Sequence, residues 1–264
     1  MTRYMIGLKR SGITPVVLVL LCMTVFGMGV WSSGINPNIQ DGTLPEVKNE
    51  TESFQLVSIE KAKDSILLRM KNISGQGITA YSVASHDNGR EDTDYSIGDY
   101  MIANGAIEEI EIPLSSLRVS NASKQRKPDI RILAVVFEDQ TSEGDYAAAA
   151  DIRNIRLGKK IQLKRINQLI LEASNLSSTN QLSTLKDLKS RIASLSEDIE
   201  RGQTPAVRSG LRNAKQDVLT LIDRIEQRQK AIDAGRQADN SAGNDLHGEL
   251  IKLVREGEKW IAKY

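Results

Sequence analysis

Apolar and polar positions follow three rhythms along this chain, and each predicts a different kind of element. Ile13 to Trp31 is an uncharged run of nineteen residues, mostly Val, Leu, Met and Ile. From Phe54 to Phe137 the rhythm is short and mostly of period two. Phe54 to Lys61 and Ser65 to Asn72, separated by Ala62, Lys63 and Asp64, predict a hairpin. In Ile78 to His86, Thr79, Tyr81 and Val83 alternate with Ala80 and Ser82, which fits a sheet with one buried face. Glu108, Ile110, Glu111, Ile112 and Leu114 continue the pattern after a turn at Asn104 and Gly105, and β-branched Ile130 to Phe137 is the best central strand. Short strands at this spacing point to an antiparallel sandwich.

After Tyr146 the period becomes 3.6. Ala147 to Ala173 predicts a first helix, with Leu163, Ile166, Ile170 and Ala173 on one side. Leu182, Leu185, Leu188, Ile192, Leu195 and Ile199 form a second stripe, and Leu211, Ala214, Val218, Leu221, Ile225 and Ile232 a third. Gly202 closes one helix and Thr204-Pro205 opens the next, a capping hydroxyl before the one helical position where proline is welcome. Beyond a polar break at Gly235 to Asn244, Leu246, Leu250, Leu253, Val254 and Trp260 mark a shorter last helix. Short connections favour antiparallel neighbours, hence a bundle or a long helical hairpin. The alternative is a parallel homodimeric coiled coil.

The first apolar run addresses the chain to a membrane. As a helix it would measure about 28 Å, close to the hydrocarbon thickness of a bilayer, with Ile13, Leu18, Leu21, Val25 and Trp31 as membrane-spanning positions. Trp31 suits an interfacial place in an uncleaved anchor. Pro15, together with Gly27 and Gly29 as a small-x-small site, suits a cleaved signal peptide instead. In either case Arg3, Lys9 and Arg10 stay on the cytoplasmic side and the rest is exported, membrane-anchored if the leader is kept and secreted if it is cut. Cys22 is the only cysteine, so no disulfide framework exists, and the Leu21 before it argues against a lipoprotein site.

The residues Leu68-Arg69-Met70-Lys71-Asn72-Ile73-Ser74, Ile78 to Val83, and Asn104-Gly105-Ala106 before Ile110-Glu111-Ile112 carry a resemblance to a known family. The stretch Ser53 to Asp139 resembles the Ig-like domains of bacterial exported proteins, including the FxLYD type. It departs from them in the insert Asp87 to Met101 and in having Asn104-Gly105 where Pro-Gly is common. The resemblance implies an Ig-like fold, an extracytoplasmic setting and a binding or spacer role, and it carries over no catalytic residue.

Charge divides the chain where the rhythm changes. The near-neutral total of +1 combines −8 over Ile35 to Tyr146 with +6 over Ala147 to Tyr264 and +3 in the leader. The first helix holds Arg153, Arg156, Lys159, Lys160, Lys164 and Arg165 with no acid between Asp151 and Glu172. Of these, Arg153, Arg156, Lys160 and Lys164 form a candidate interaction surface, to be weighed against a solvated face or docking onto the acidic loops or an anionic surface. Nucleic acid is excluded as a partner, because the helix has no aromatic residue for base stacking and the chain is exported.

Catalytic and metal motifs are missing from the sequence. His86 and His247 have no ligand set around them, no Gly-x-Ser-x-Gly elbow supports a triad, and no phosphate loop or dinucleotide fingerprint occurs. No catalytic, cofactor-binding or metal residue is assigned, and no cofactor is expected. The acidic clusters Asp87, Glu91, Asp92, Asp94 and Glu138, Asp139, Glu143, Asp145 offer oxygen ligands for calcium but lack EF-hand spacing, and they read as solvated turns in preference to a calcium site. Asn-x-Ser/Thr tripeptides occur at Asn49, Asn72, Asn121 and Asn175.

The resulting expectation is an α+β multidomain chain. A membrane-targeting helix (1–34) and a flexible linker (35–52) precede an antiparallel Ig-like β-sandwich (53–146), followed by an α-helical bundle or coiled-coil hairpin (147–264). The expected role is that of a binding or scaffold protein of the cell envelope, held at the membrane by its N-terminal helix. A protein partner or self-association through the helices would complete it. An envelope hydrolase using paired carboxylates and a passive self-associating stalk are the alternatives.

Overall fold

The computed structural model describes residues 44–87, 90–97, 100–117, 129–175, 181–198, 203–233 and 246–263. Among the described residues eight strands, with one short 3-10 turn at Leu114–Leu117, precede four α-helices, and the chain divides into two compact units between Gly144 and Asp145.

In the first unit, β2 (Phe54–Lys61), β3 (Ser65–Asn72) and β6 (Ile107–Pro113) make a three-stranded antiparallel sheet in the order β2-β3-β6. The hairpin over 62–64 closes where the Ala62 amide donates to the Ser65 carbonyl. The second sheet runs β1-β7-β4-β5, from β1 (Glu46–Asn49), β7 (Asp129–Phe137), β4 (Ile78–Asp87) and β5 (Arg90–Ser96), with β8 (Ser142–Gly144) also paired to β7. Strand parity aims Ile66, Leu68, Met70, Ile110 and Ile112 of one sheet at Tyr81, Val83, Ile130, Ile132 and Val135 of the other, and these side chains form one buried core with Phe54 and Leu117.

Three expectations are corrected. No helix among the described residues is long and apolar enough to cross a membrane, and the first described α-helix follows all eight strands rather than leading the chain. The run Ile13 to Trp31, with Leu18, Leu21 and Val25, lies outside the described residues. The sandwich is not purely antiparallel, because Glu46 to Asn49 lies parallel to Asp129 to Ile132. A parallel pair needs a long crossover, and some eighty intervening residues supply one to a segment that reads in sequence as part of a tether. The insert Asp87 to Met101 also contributes β5, antiparallel to β4 from Tyr81↔Ser96 to Asp87↔Arg90.

The second unit holds α1 (Tyr146–Ser174), α2 (Gln181–Ala193), α3 (Pro205–Asp233) and α4 (Leu246–Lys263). The Asp145 carboxylate caps α1 by accepting the Ala148 amide at 2.7 Å, and the Thr204 hydroxyl caps α3 by accepting that of Val207 at 3.3 Å. Lys159 of α1 lies over the Trp260 ring and Ser174 accepts from His247, so α4 runs antiparallel to α1. The Lys189–Asp223 pair and the Lys215 ammonium on the Ala193 and Leu195 carbonyls set α2 antiparallel to α3. The helices thus form a bundle rather than a two-helix hairpin. At its centre α1 crosses α3 at Gly158 and Gly210, where a methyl group on either glycine would lie 2.1 or 2.0 Å from a carbonyl oxygen of the opposite helix. Two residues without side chains let the backbones touch, which no apolar stripe specifies.

Candidate functional site

On one side of the first unit the sheets end in β5 and β6, and between these edges opens a cleft of about 340 Å³. Pairing register decides what faces it. Tyr81, Val83 and Ser85 share the inner parity of β4, and Ser96 and Asp94 sit opposite Tyr81 and Val83 on β5. Glu108, Ile110 and Ile112 share the inner parity of β6. Glu109 and Glu111, which border the same cleft, have the opposite parity: Glu109 accepts from Arg69 Nε at 2.9 Å and Glu111 from the Ser65 hydroxyl at 2.7 Å.

Tyr100 completes the wall from outside the strands. Its loop is tied to β4 by reciprocal backbone hydrogen bonds between Ile78 and Ile102, of 3.0 and 2.8 Å. The Tyr100 hydroxyl donates to Glu108 Oε1 at 2.9 Å, so the Ser96 hydroxyl, 2.9 Å away, donates to the Tyr100 oxygen. Tyr81 joins the same cluster and is packed from behind by Phe54, ring centroids 5.5 Å apart. Burial, with the negative charge of Glu108 nearby, raises the Tyr81 phenol well above its usual range and raises Tyr100 in the same direction. Both phenols are therefore neutral hydrogen-bond donors at physiological pH. The cleft is lined by the carboxylates of Asp94, Glu108, Glu109 and Glu111, the tyrosines Tyr81, Tyr95 and Tyr100 and the serines Ser85 and Ser96 over a floor of Val83, Ile110 and Ile112, and among the described residues no Lys, Arg or His lines it.

The surface proposed from sequence lies elsewhere, on α1. Arg156 is 4 % exposed, Arg153 and Lys160 are half-buried and Lys164 is exposed, so the flank is not wholly solvated. Lys159, beside them, pairs with Asp217 of α3 at 3.2 Å. The acids of the second cluster hold the fold: Asp139 accepts both the amide and hydroxyl of Thr141, Glu143 accepts the Glu52 and Ser53 amides, and Asp145 caps α1. Among the described residues no group of three His, Cys, Asp or Glu side chains converges to hold a metal ion.

Sequence reasoning placed Asp94 in an acidic loop and passed over Tyr100 and Glu108. One signal was there: Glu108 lies in phase with Ile110 and Ile112, which puts a carboxylate on the apolar side of a strand. Tyr100 left no such mark, since its place depends on the Ile78–Ile102 bridge. Comparison with protein families, with curated proteins and with solved structures finds no match to this chain.

Proposed function

We propose that this is an exported binding protein of the cell envelope, held at the membrane by its leader, with the inter-sheet cleft as its point of recognition. The observation that carries the reading is the cleft itself: aromatic and acidic groups placed by two separate sheets around one opening of ligand size. Binding is favoured over hydrolysis although Asp94 and Glu108 share the cleft. Glu108 already accepts a hydrogen bond from Tyr100, and among the described residues no histidine, lysine or arginine lines the opening to relay protons or steady a leaving group. Phosphate-rich partners carry the wrong charge for such a wall, in keeping with a protein or small-molecule partner rather than nucleic acid. Export rests on the uncharged run Ile13 to Trp31 behind Arg3, Lys9 and Arg10.

Fusing alkaline phosphatase, which is active only outside the cytoplasm, after Tyr264 tests the setting. An active fusion that sediments with membranes through carbonate washing is expected. An inactive fusion overturns export, and an active one released into the soluble fraction overturns retention by the leader.

A further inference from the structure

We propose that the outward face of α1 lies against an anionic lipid surface; this rests on the membrane setting proposed above and gives the helical unit a contact of its own with the bilayer. At about 100° per residue, Leu157, Ile161, Lys164, Gln168 and Leu171 share one side of the helix, and the buried Ile155, Ile166 and Ile170 lie on the opposite side. Leu157 is 49 % exposed and Leu171 40 %, Lys164 and Gln168 are exposed, and Ile161 is half-buried. Lys160 and Arg165 flank the strip, one on each edge. None of Lys160, Lys164 and Arg165 makes an ion pair among the described residues. The acid at the far end of the strip, Glu172, is engaged by Arg191 of α2. This side of the helix therefore carries net positive charge together with three apolar side chains that the bundle leaves uncovered.

Such a face fits a bilayer better than the other anionic partners. An interfacial helix rests its apolar side chains at the headgroup boundary, while lysine and arginine stems reach along them to the phosphates. Leu157 to Leu171 span about 21 Å of helix, a line that a flat surface can meet along its whole length. Nucleic acid would leave the apolar side chains unused, because bases stack on aromatic rings and the strip has none. A second copy of the same face would set cations against cations. An acidic protein would match the charge. The membrane is favoured because the proposed anchor, Ile13 to Trp31, keeps the chain beside one, which raises the local concentration of lipid at the helix.

The test uses the full-length chain with its sole cysteine removed by Cys22→Ala, so that one introduced cysteine carries a nitrobenzoxadiazole label. Gln168→Cys places the label on the strip, and Gln216→Cys places it on the exposed side of α3. Each labelled chain is reconstituted into vesicles of phosphatidylcholine, alone or mixed with phosphatidylglycerol. The label at Gln168 should brighten and shift to the blue with phosphatidylglycerol, high salt should reverse the change, and the label at Gln216 should not respond. Lys160→Gln, Lys164→Gln and Arg165→Gln should each lower the ratio of bound to free strip, read from the label, about fivefold. A label at Gln168 that does not distinguish the two lipids, or one at Gln216 that responds as strongly, overturns the proposal while the anchor stands. If soluble poly-glutamate moves the label and phosphatidylglycerol does not, the face belongs to an acidic protein and the lipid is wrong. A chain that does not stay with phosphatidylcholine vesicles overturns the anchor alone, and the same label then reads phosphatidylglycerol vesicles added to the chain in solution. Should a charge variant misfold, the comparison of the two lipids on the chain without it decides.

Discussion

Asn49, Asn72 and Asp139 each accept the amide and the hydroxyl of the Thr or Ser two residues on, so the same tripeptide pattern closes three turns of the first unit. Two of the three are Asn-x-Ser/Thr sites in sequence, and their hydrogen bonds show that the pattern serves turn geometry. Asn72 goes furthest. Fully buried, it also donates to the Gln76 and Ile102 carbonyls at 2.8 and 2.7 Å, joining its own turn to the loop that carries Tyr100. Asn72→Ala would leave several buried backbone groups unmet, and we expect it to lower stability by about 3 kcal/mol in urea unfolding. A loss below about 1 kcal/mol would mean that water replaces the amide without difficulty. The turn was legible from sequence, since Asn-x-Ser between two strands is local chemistry. Its tie to Ile102, thirty residues away, was not.

At the level of elements, the helices and the long strands follow from period. Thr204-Pro205 opens α3, as a capping hydroxyl before proline should, and β3 buries Ile66, Leu68 and Met70 on one parity. Short elements escaped because a few residues hold no period: β1 buries no residue, and β8 is only three residues long. The helix crossing escaped for another reason. By helix propensity alone a glycine inside a helix is about 1 kcal/mol worse than alanine, and Gly158 and Gly210 both lie inside helices. In the bundle they are the contact, so the expected sign reverses. Gly158→Ala and Gly210→Ala should each destabilise the helical unit by about 2 kcal/mol or more, since the new methyl meets rigid backbone rather than a movable side chain. Thermal unfolding followed at the helical dichroism band reads this, and a rise in midpoint would show that the helices do not meet there.

For the whole molecule, charge sets the pH range of stability. Hydrogen bonds from Lys215, and then Arg212, hold Glu197 below the usual carboxylate range; Lys230 does so for Glu226, Arg191 for Glu172 and the Thr141 hydroxyl for Asp139. A carboxyl group depressed on folding contributes stability that is complete above its unfolded value and is lost as pH falls through its folded one. Tyr81 and Tyr100, raised by burial, contribute below the unfolded phenol value and lose that contribution as pH rises. The thermal midpoint should therefore be flat from about pH 5 to about pH 9.5 and fall on both sides. Glu197→Gln should flatten the acid limb, and Tyr100→Phe the alkaline one. Unchanged limbs in both variants would assign the titration to other groups. By itself the sequence determined where the long strands and the helices lie, how some helices are capped, and that one uncharged run precedes two halves of opposite charge. These are properties of neighbours a few residues apart, set by backbone period and local hydrogen bonding. Only the tertiary structure decided that β1 lies parallel to β7, that Lys159 finds Asp217, and that Asp94, Tyr100 and Glu108 meet around one cleft. Each of those depends on which distant segments pair and in what register, and a one-residue slip in β5 or β6 would turn its carboxylate to the opposite face.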